Sequence, residues 1–183
     1  MDNREELVFK TDWGWMGLAA SASGVHAIVL PRPSRRAAEA ELARSDWKDR
    51  PAGRSRMEHQ DREAAEILRD ARKQLVEYLG AERRALSVPV DFSSGTPFQR
   101  RVWQTISRIP YGRVRSYQWV ASRVGGRQYA RAVGNALGDN PLPIVVPCHR
   151  IVTSTCALGG FSGGLRTKRR LLALEGTLPQ LRS

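Results

Sequence analysis

The sequence predicts an α/β chain of the α+β layout in two parts. A small N-terminal sheet-plus-helix domain spans residues 1–92, and a mainly helical domain spans residues 93–183. Three observations carry this expectation. Short β-branched and aromatic runs separated by turn residues fill residues 5–30. Apolar residues then recur at steps of three and four over 61–80. Beyond residue 93 the chain reads as short helices punctuated by Gly and Pro.

In chain order, Leu7, Val8 and Phe9 form a first strand. Trp13, Gly14, Trp15, Met16 and Gly17 read as a turn with aromatic flanks. Ser23 and Gly24 then join two further strands, at 18–22 and 25–30, in a hairpin. Residues 31–63 are charged and Ala-rich and read as a connection, with a short helix at 36–44 and a solvated His59. His26 is expected to be a structural residue within its strand. The helix over 61–80 buries Ala64, Leu68, Ala71, Leu75, Tyr78 and Leu79, and Gly80 suits its C-terminal cap. Residues 88–92 are an edge-strand candidate. Thr96 then caps a helix with Pro97 at its first position, whose buried stripe is Phe98, Val102, Ile106 and Ile109. Ser116 caps a second helix, Gly125 and Gly126 break it, and a third runs over 128–137. A last helix over 165–174 carries Arg166, Lys168, Arg169 and Arg170, read as a largely solvated basic face.

Charge is unevenly placed. Of 30 basic and 18 acidic residues, 13 basic and one acidic residue (Asp139) fall between residues 97 and 170, so the whole excess of +12 lies there. Twelve of those 13 are Arg, the residue suited to bidentate phosphate contacts. A polyanion is the expected partner, nucleic acid before an anionic membrane surface. Two helices joined by a Gly-containing turn inside this window have helix-turn-helix grammar. No apolar run reaches membrane-spanning length, and the first ten residues lack the pattern of a signal peptide. With only Cys148 and Cys156, a disulfide framework is excluded, and a reducing, cytoplasmic compartment is expected.

The segment 143–152 is the chemical centre of the chain. Ile144, Val145 and Val146 drive it inward, and Pro143 and Pro147 deny it a regular helix or central strand. Cys148 follows, beside His149 and Arg150, whose charges are expected to favour a thiolate nucleophile. The same local pattern also fits an ordinary buried cysteine. A basic helix-turn-helix followed by such a cysteine suits an enzyme acting on an extruded base.

These features resemble the O6-alkylguanine-DNA alkyltransferases. The resemblance is dense from Phe98 to Gly176. It runs through the stretches 109–114, 116–118, 130–134 and 140–143, and through Pro147-Cys148-His149-Arg150, 159–164 and 174–176. It implies a ribonuclease-H-like N-terminal domain and a winged helix-turn-helix-like C-terminal domain. It also implies stoichiometric, irreversible transfer of an alkyl group from O6-alkylguanine in double-stranded DNA, with O4-alkylthymine open as a second substrate. Carried residue by residue, the resemblance makes Cys148 the alkyl acceptor, His149 its base through a water, and Glu175 the group that orients the imidazole. Asn140 holds the turn before the nucleophile, and Tyr117 handles the target phosphate and the flipped guanine. Arg131 fills the vacated stack, with Ser116, Gln118, Ala130 and Gly134 at the DNA surface. Val145, Val146, Gly159, Phe161 and Ser162 line the base pocket. No metal and no cofactor is expected. A monomer is expected, nucleoid-associated when bound, with cooperative binding along DNA left open.

Phe161 replaces a Tyr common in the family, and Cys156 a small residue, often Gly. Two other functional classes remain open at this point. One is a non-catalytic binder of alkylated DNA, in which the acceptor cysteine is usually replaced by Trp, and the other is a regulator that senses alkylation through its cysteine.

Overall fold

The computed structural model describes residues 5–45, 57–178 and 181, the side chains of 57–61 excepted. The chain divides into two compact units, Met1–Ser94 and Gly95–Ser183.

In the first unit, β1 (Glu5–Thr11), β2 (Gly14–Ser21) and β3 (Gly24–Arg32) form an antiparallel meander in the order β1-β2-β3. The turn at 12–13 is tighter than expected, and Trp15, Met16 and Gly17 belong to β2. The Thr11 hydroxyl closes it by accepting from the Trp13 amide at 3.1 Å and donating to the Gly14 carbonyl at 2.9 Å. Ala19, Ala27 and Val29 bury one face of the sheet under Ala38 and Leu42 of α1 (Arg35–Leu42). Alternate positions Met16, Leu18 and Ala20 face the other way, and α2 (Met57–Leu79) contributes Ala64, Leu68, Ala71, Leu75 and Tyr78 to the core. Two covered faces explain why β2 is buried almost continuously rather than at every second residue.

Two expectations change here, and part of a third falls on residues that the structure does not describe. The long helix begins at Met57, so His59 lies in it, with its side chain outside the described residues. Residues 46–56 of the expected connection also lie outside the described residues. The edge strand at 88–92 is a single parallel bridge between Val25 and Val90. Val25 donates to the Pro89 carbonyl and accepts from the Asp91 amide, both at 2.9 Å. Pro89 has no N–H with which to extend that ladder. A cavity of about 380 Å³ opens in this unit, lined by Lys10, Thr11, Asp12, Val76, Leu79 and Gly80. None of these six residues carries a thiol or an imidazole.

The second unit is mainly helical. Thr96 and Gln99 form a reciprocal capping box at the start of α3 (Pro97–Ile106), which buries Val102, Trp103 and Ile106. The Trp103 indole donates to the Ala136 carbonyl at 2.7 Å. A β-carbon at Gly95 would stand 2.3 Å from that ring, so only glycine fits there. Ser116 caps α4 (Tyr117–Val124) by accepting from the Trp119 amide at 3.1 Å. Gly125 and Gly126, at φ 152° and 137°, make the break. A 3-10 turn (Arg127–Tyr129) opens α5 (Ala130–Gly138), and α6 (Leu165–Leu174) closes the fold. β4 (Arg115–Ser116) pairs in parallel with β5 (Ile151–Val152), so the start of the helix-turn-helix is stitched to the chain just past Cys148. No helix among the described residues is long and apolar enough to cross a membrane.

Thr96→Ala removes one half of the capping box and is expected to cost about 1 kcal/mol. Urea unfolding checks this as a lower midpoint at unchanged slope.

Candidate active site

The segment from Asn140 to Cys148 is shaped by its prolines and by one strained residue. Ile144, 1% exposed, sits at φ 77°, where a β-branched residue is a genuine outlier. The Val146 amide returns to the Leu142 carbonyl at 2.8 Å. Pro147, at φ −81° and ψ 61°, then makes an inverse γ-turn closed by the Cys148 amide on the Val146 carbonyl at 2.8 Å. Cys148 opens a 3-10 turn (Cys148–Arg150) and is 3% exposed.

Asn140 spans this turn with every atom of its amide. Its Nδ2 donates to the Val146 carbonyl at 2.9 Å and to the Cys148 sulfur at 3.0 Å, while Oδ1 accepts from the Leu142 amide at 3.0 Å. An aspartate could supply neither donor.

His149 is fully buried, and its Nε2 lies 2.8 Å from Oε1 of Glu175, the C-cap of α6. Arg150 clamps the same carboxylate through Nε at 2.9 and 3.0 Å and Nη2 at 2.8 Å. The loop before β4 completes the enclosure. The Ile109 carbonyl accepts from Arg150 at 2.6 Å, the Gly112 amide donates to Glu175 at 3.2 Å, and the Tyr111 hydroxyl donates to the Leu174 carbonyl at 2.7 Å. The 109–114 motif is thus the wall of the carboxylate site.

Electrostatics follow from this geometry. Burial raises the Glu175 pKa, but His149 and Arg150 outweigh it and hold the carboxyl down to about 2. Glu175 is therefore an ionised acceptor, which puts the proton of His149 on Nε2 and leaves Nδ1 as its basic nitrogen. Burial, aided by the charges of Arg150 and Lys168, lowers the His149 pKa against the pull of Glu175. The imidazole is neutral at pH 7. Burial pushes the Cys148 thiol up to about 11, against the Asn140 hydrogen bond and the Lys168 charge, which both lower it. This corrects the expectation of a thiolate favoured by His149 and Arg150. Both side chains turn to Glu175, and the resting sulfur is a thiol.

Tyr117 is half-buried and donates to the Gly160 carbonyl at 3.3 Å. Its ring lies 3.9 Å from where a β-carbon of Gly134 would stand, and 2.9 Å from one on Gly159. Gly159 therefore admits no side chain while Tyr117 stays in place. The Ser116 hydroxyl is committed to its helix cap. Gln118 and Arg131 are exposed on the helix-turn-helix, and Ala130 is half-buried at the start of α5. Val145 and Phe161 are half-buried and Ser162 is exposed, whereas the Val146 side chain is wholly in the core and offers only its backbone. Cys156 is exposed at φ 62°, in the left-handed region where glycine is at ease. Among the described residues no cluster of three or more His, Cys, Asp or Glu is placed to hold a metal ion.

Sequence reasoning missed two residues. Arg150 serves the carboxylate rather than the sulfur. Lys168, read as part of a solvated face, is fully buried. Its spacing from Leu171, Leu172 and Glu175, three, four and seven positions along α6, was the available signal.

A buried cysteine followed by a histidine locked to a carboxylate, stitched to a helix-turn-helix, defines a class of helix-turn-helix proteins with a cysteine-centred site. The family model described as the DNA-binding domain of 6-O-methylguanine DNA methyltransferase matches residues 97–177. The constitutive methylated-DNA–protein-cysteine methyltransferase of Bacillus subtilis is 40% identical over 149 residues, covering 81% of this chain and 88% of that protein. The crystal structure of the Mycobacterium tuberculosis O6-methylguanine methyltransferase superposes with a TM-score of 0.70 at 33% identity, covering 94% of this chain and 92% of that one. A structure of the Mycobacterium tuberculosis protein in complex with DNA has the same TM-score and identity, covering 93% and 91%. The chain belongs to the methylated-DNA–protein-cysteine methyltransferase family, and so to the transferases that repair DNA by direct reversal.

Acid should undo the carboxylate site in a defined window. A group held down to about 2 in the fold contributes fully above its ordinary value of 4.5 and loses that contribution as pH falls from there toward 2. Glu175→Gln is expected to cost about 3–5 kcal/mol at pH 7. Its thermal midpoint should fall less steeply than that of the native protein below pH 4.5, which calorimetry across pH would read.

Proposed function

We propose that this chain repairs O6-alkylguanine in double-stranded DNA by taking the alkyl group onto Cys148, once per molecule. The observation that carries the reading is the chain of contacts Asn140–Cys148 and His149–Glu175, at 3.0 and 2.8 Å, in a buried turn. The 33% identical Mycobacterium tuberculosis protein in complex with DNA and the +12 charge of residues 97–170 support DNA as the partner. O4-alkylthymine is a second substrate that the same displacement admits. The protein acts as a monomer in the cytoplasm, on nucleoid DNA.

His149 Nδ1, through a water, accepts the thiol proton, and the imidazolium that forms faces the Glu175 carboxylate. The sulfur attacks the alkyl carbon, the S–C bond forms as the C–O6 bond breaks, and the electron pair passes to guanine. The freed guanine takes up one proton, matching the one lost by the thiol. The Asn140 amide stabilises negative charge as it develops on sulfur. Tyr117, beside the 159–160 loop, orients the target phosphate and hydrogen-bonds the flipped base, with Val145, Val146, Gly159, Phe161 and Ser162 around the guanine. Arg131, exposed near the start of α5, enters the stack that the base leaves. Ser116, Gln118, Ala130 and Gly134 position the duplex.

Mixing the protein with O6-methylguanine DNA should add one methyl group to the tryptic peptide holding Cys148, and Cys148→Ala should abolish it. A protein that binds this DNA and stays unmodified would be a damage binder instead. Arg131→Ala should slow transfer by about 100-fold while weakening DNA binding only a few-fold, since extrusion and phosphate affinity are separate contributions. Single-turnover kinetics set against a salt-controlled binding curve reads both, and equal losses would reduce Arg131 to a phosphate contact.

A further inference from the structure

Lys168 has surroundings unlike those of its sequence neighbours. Arg166, Arg169 and Arg170 on the same helix are exposed, whereas Lys168 is 0% exposed, on the buried stripe with Leu171, Leu172 and Glu175. Its ammonium donates to three backbone carbonyls, those of Ile151, Leu158 and Gly160. Three donors meet three acceptors, so hydrogen bonding is complete, but carbonyl dipoles carry no net charge. Among the described residues no ion pair engages it. Burial lowers its pKa to about 8, and the one charge that works against this is Cys148.

The three carbonyls come from two places. Ile151 lies in β5, directly after the Cys148–Arg150 turn. Leu158 and Gly160 flank Gly159, the position pressed against the Tyr117 ring, and the Gly160 carbonyl also accepts the Tyr117 hydroxyl at 3.3 Å. Lys168 therefore draws the loop beside Tyr117 onto the strand that follows the nucleophile. The titratable groups that face it electrostatically are Cys148 and His149, and the negative charge of Glu175 is already met by Arg150. Of these, the sulfur is the one that must become negative with an amide but no charged group bonded to it. A neighbouring ammonium is one of the groups that stabilise a thiolate.

We propose that Lys168 is a positioning residue for the sulfur chemistry: it holds the 158–160 loop closed onto β5, and its charge is the counter-ion that Cys148 meets when its proton leaves. This rests on Cys148 being the reactive thiol, and the closing experiment measures that thiol without DNA. A failure of the DNA-repair reading therefore leaves it interpretable.

The pH dependence of iodoacetamide alkylation at Cys148 should be followed by peptide mass spectrometry on the full chain. Trypsin cuts after Arg150, so Cys148 and Cys156 report separately. Lys168→Met keeps the volume and removes the charge. Its alkylation profile should move upward by roughly one pH unit, about tenfold slower alkylation at neutral pH, while Lys168→Arg should return most of the shift. A Lys168→Met profile superimposable on the native one overturns the proposal and leaves Lys168 as a loop pin. If Lys168→Met does not fold, Lys168→Gln and Lys168→Arg carry the test, because both keep donors and only one keeps charge. Equal profiles for that pair would also overturn it.

Discussion

The Glu175 carboxylate, closed off from water and shared between an imidazole and a guanidinium, is the constraint on which the active-site half of this fold is built. An isolated buried carboxylate is costly, and it is tolerated only when its lone pairs are met. Here they are met by His149, Arg150 and the Gly112 amide. Each of those donors drags a piece of chain with it. The 3-10 turn after Cys148, the 109–114 loop and the end of α6 converge because each owes a bond to the same group. Two consecutive residues, His149 and Arg150, are thereby fixed in direction, and Cys148 has little freedom left.

That arrangement leaves the sulfur protonated. Burial outweighs the Asn140 amide and the Lys168 charge, and the positive charges nearest in sequence are spent on Glu175. In the proposed reaction the thiolate exists only while a base is drawing the proton off and an alkyl carbon is in line. A sulfur kept as a buried thiol reacts poorly with oxidants and stray electrophiles, which suits the single use proposed for it. Tyr117 fits the same logic, since its ring rests on Gly159 and its hydroxyl on Gly160, beside the segment from which the guanine pocket is proposed to form.

The fold was largely legible because its elements announce themselves locally. Thr96-Pro97, Ser116, Gly125-Gly126 and the periodicity of α2 each act through their own backbone, and the structure has them where that chemistry requires. Errors arose where tertiary context decides. Pro89 reduces an expected strand to one bridge, and the Thr11 hydroxyl shortens an expected turn. The motif names residues that the structure brings together, Asn140 with Cys148 and His149 with Glu175, but it does not tell which side chain each one contacts. Adjacency suggested that Arg150 serves Cys148, whereas the turn after Pro147 swings it to Glu175. A lysine among arginines gave no hint of burial until its place on the inner stripe of α6 is considered.

The amide of Asn140 has a chemical consequence as well as a geometric one. Deamidation would exchange both of its donors for an anion beside the sulfur. The usual route runs through ring closure by the next backbone nitrogen onto the side-chain carbonyl, and that nitrogen must carry a hydrogen. Here it belongs to Pro141, which has none. The proline that follows Asn140 therefore blocks the usual route by which its amide would be lost.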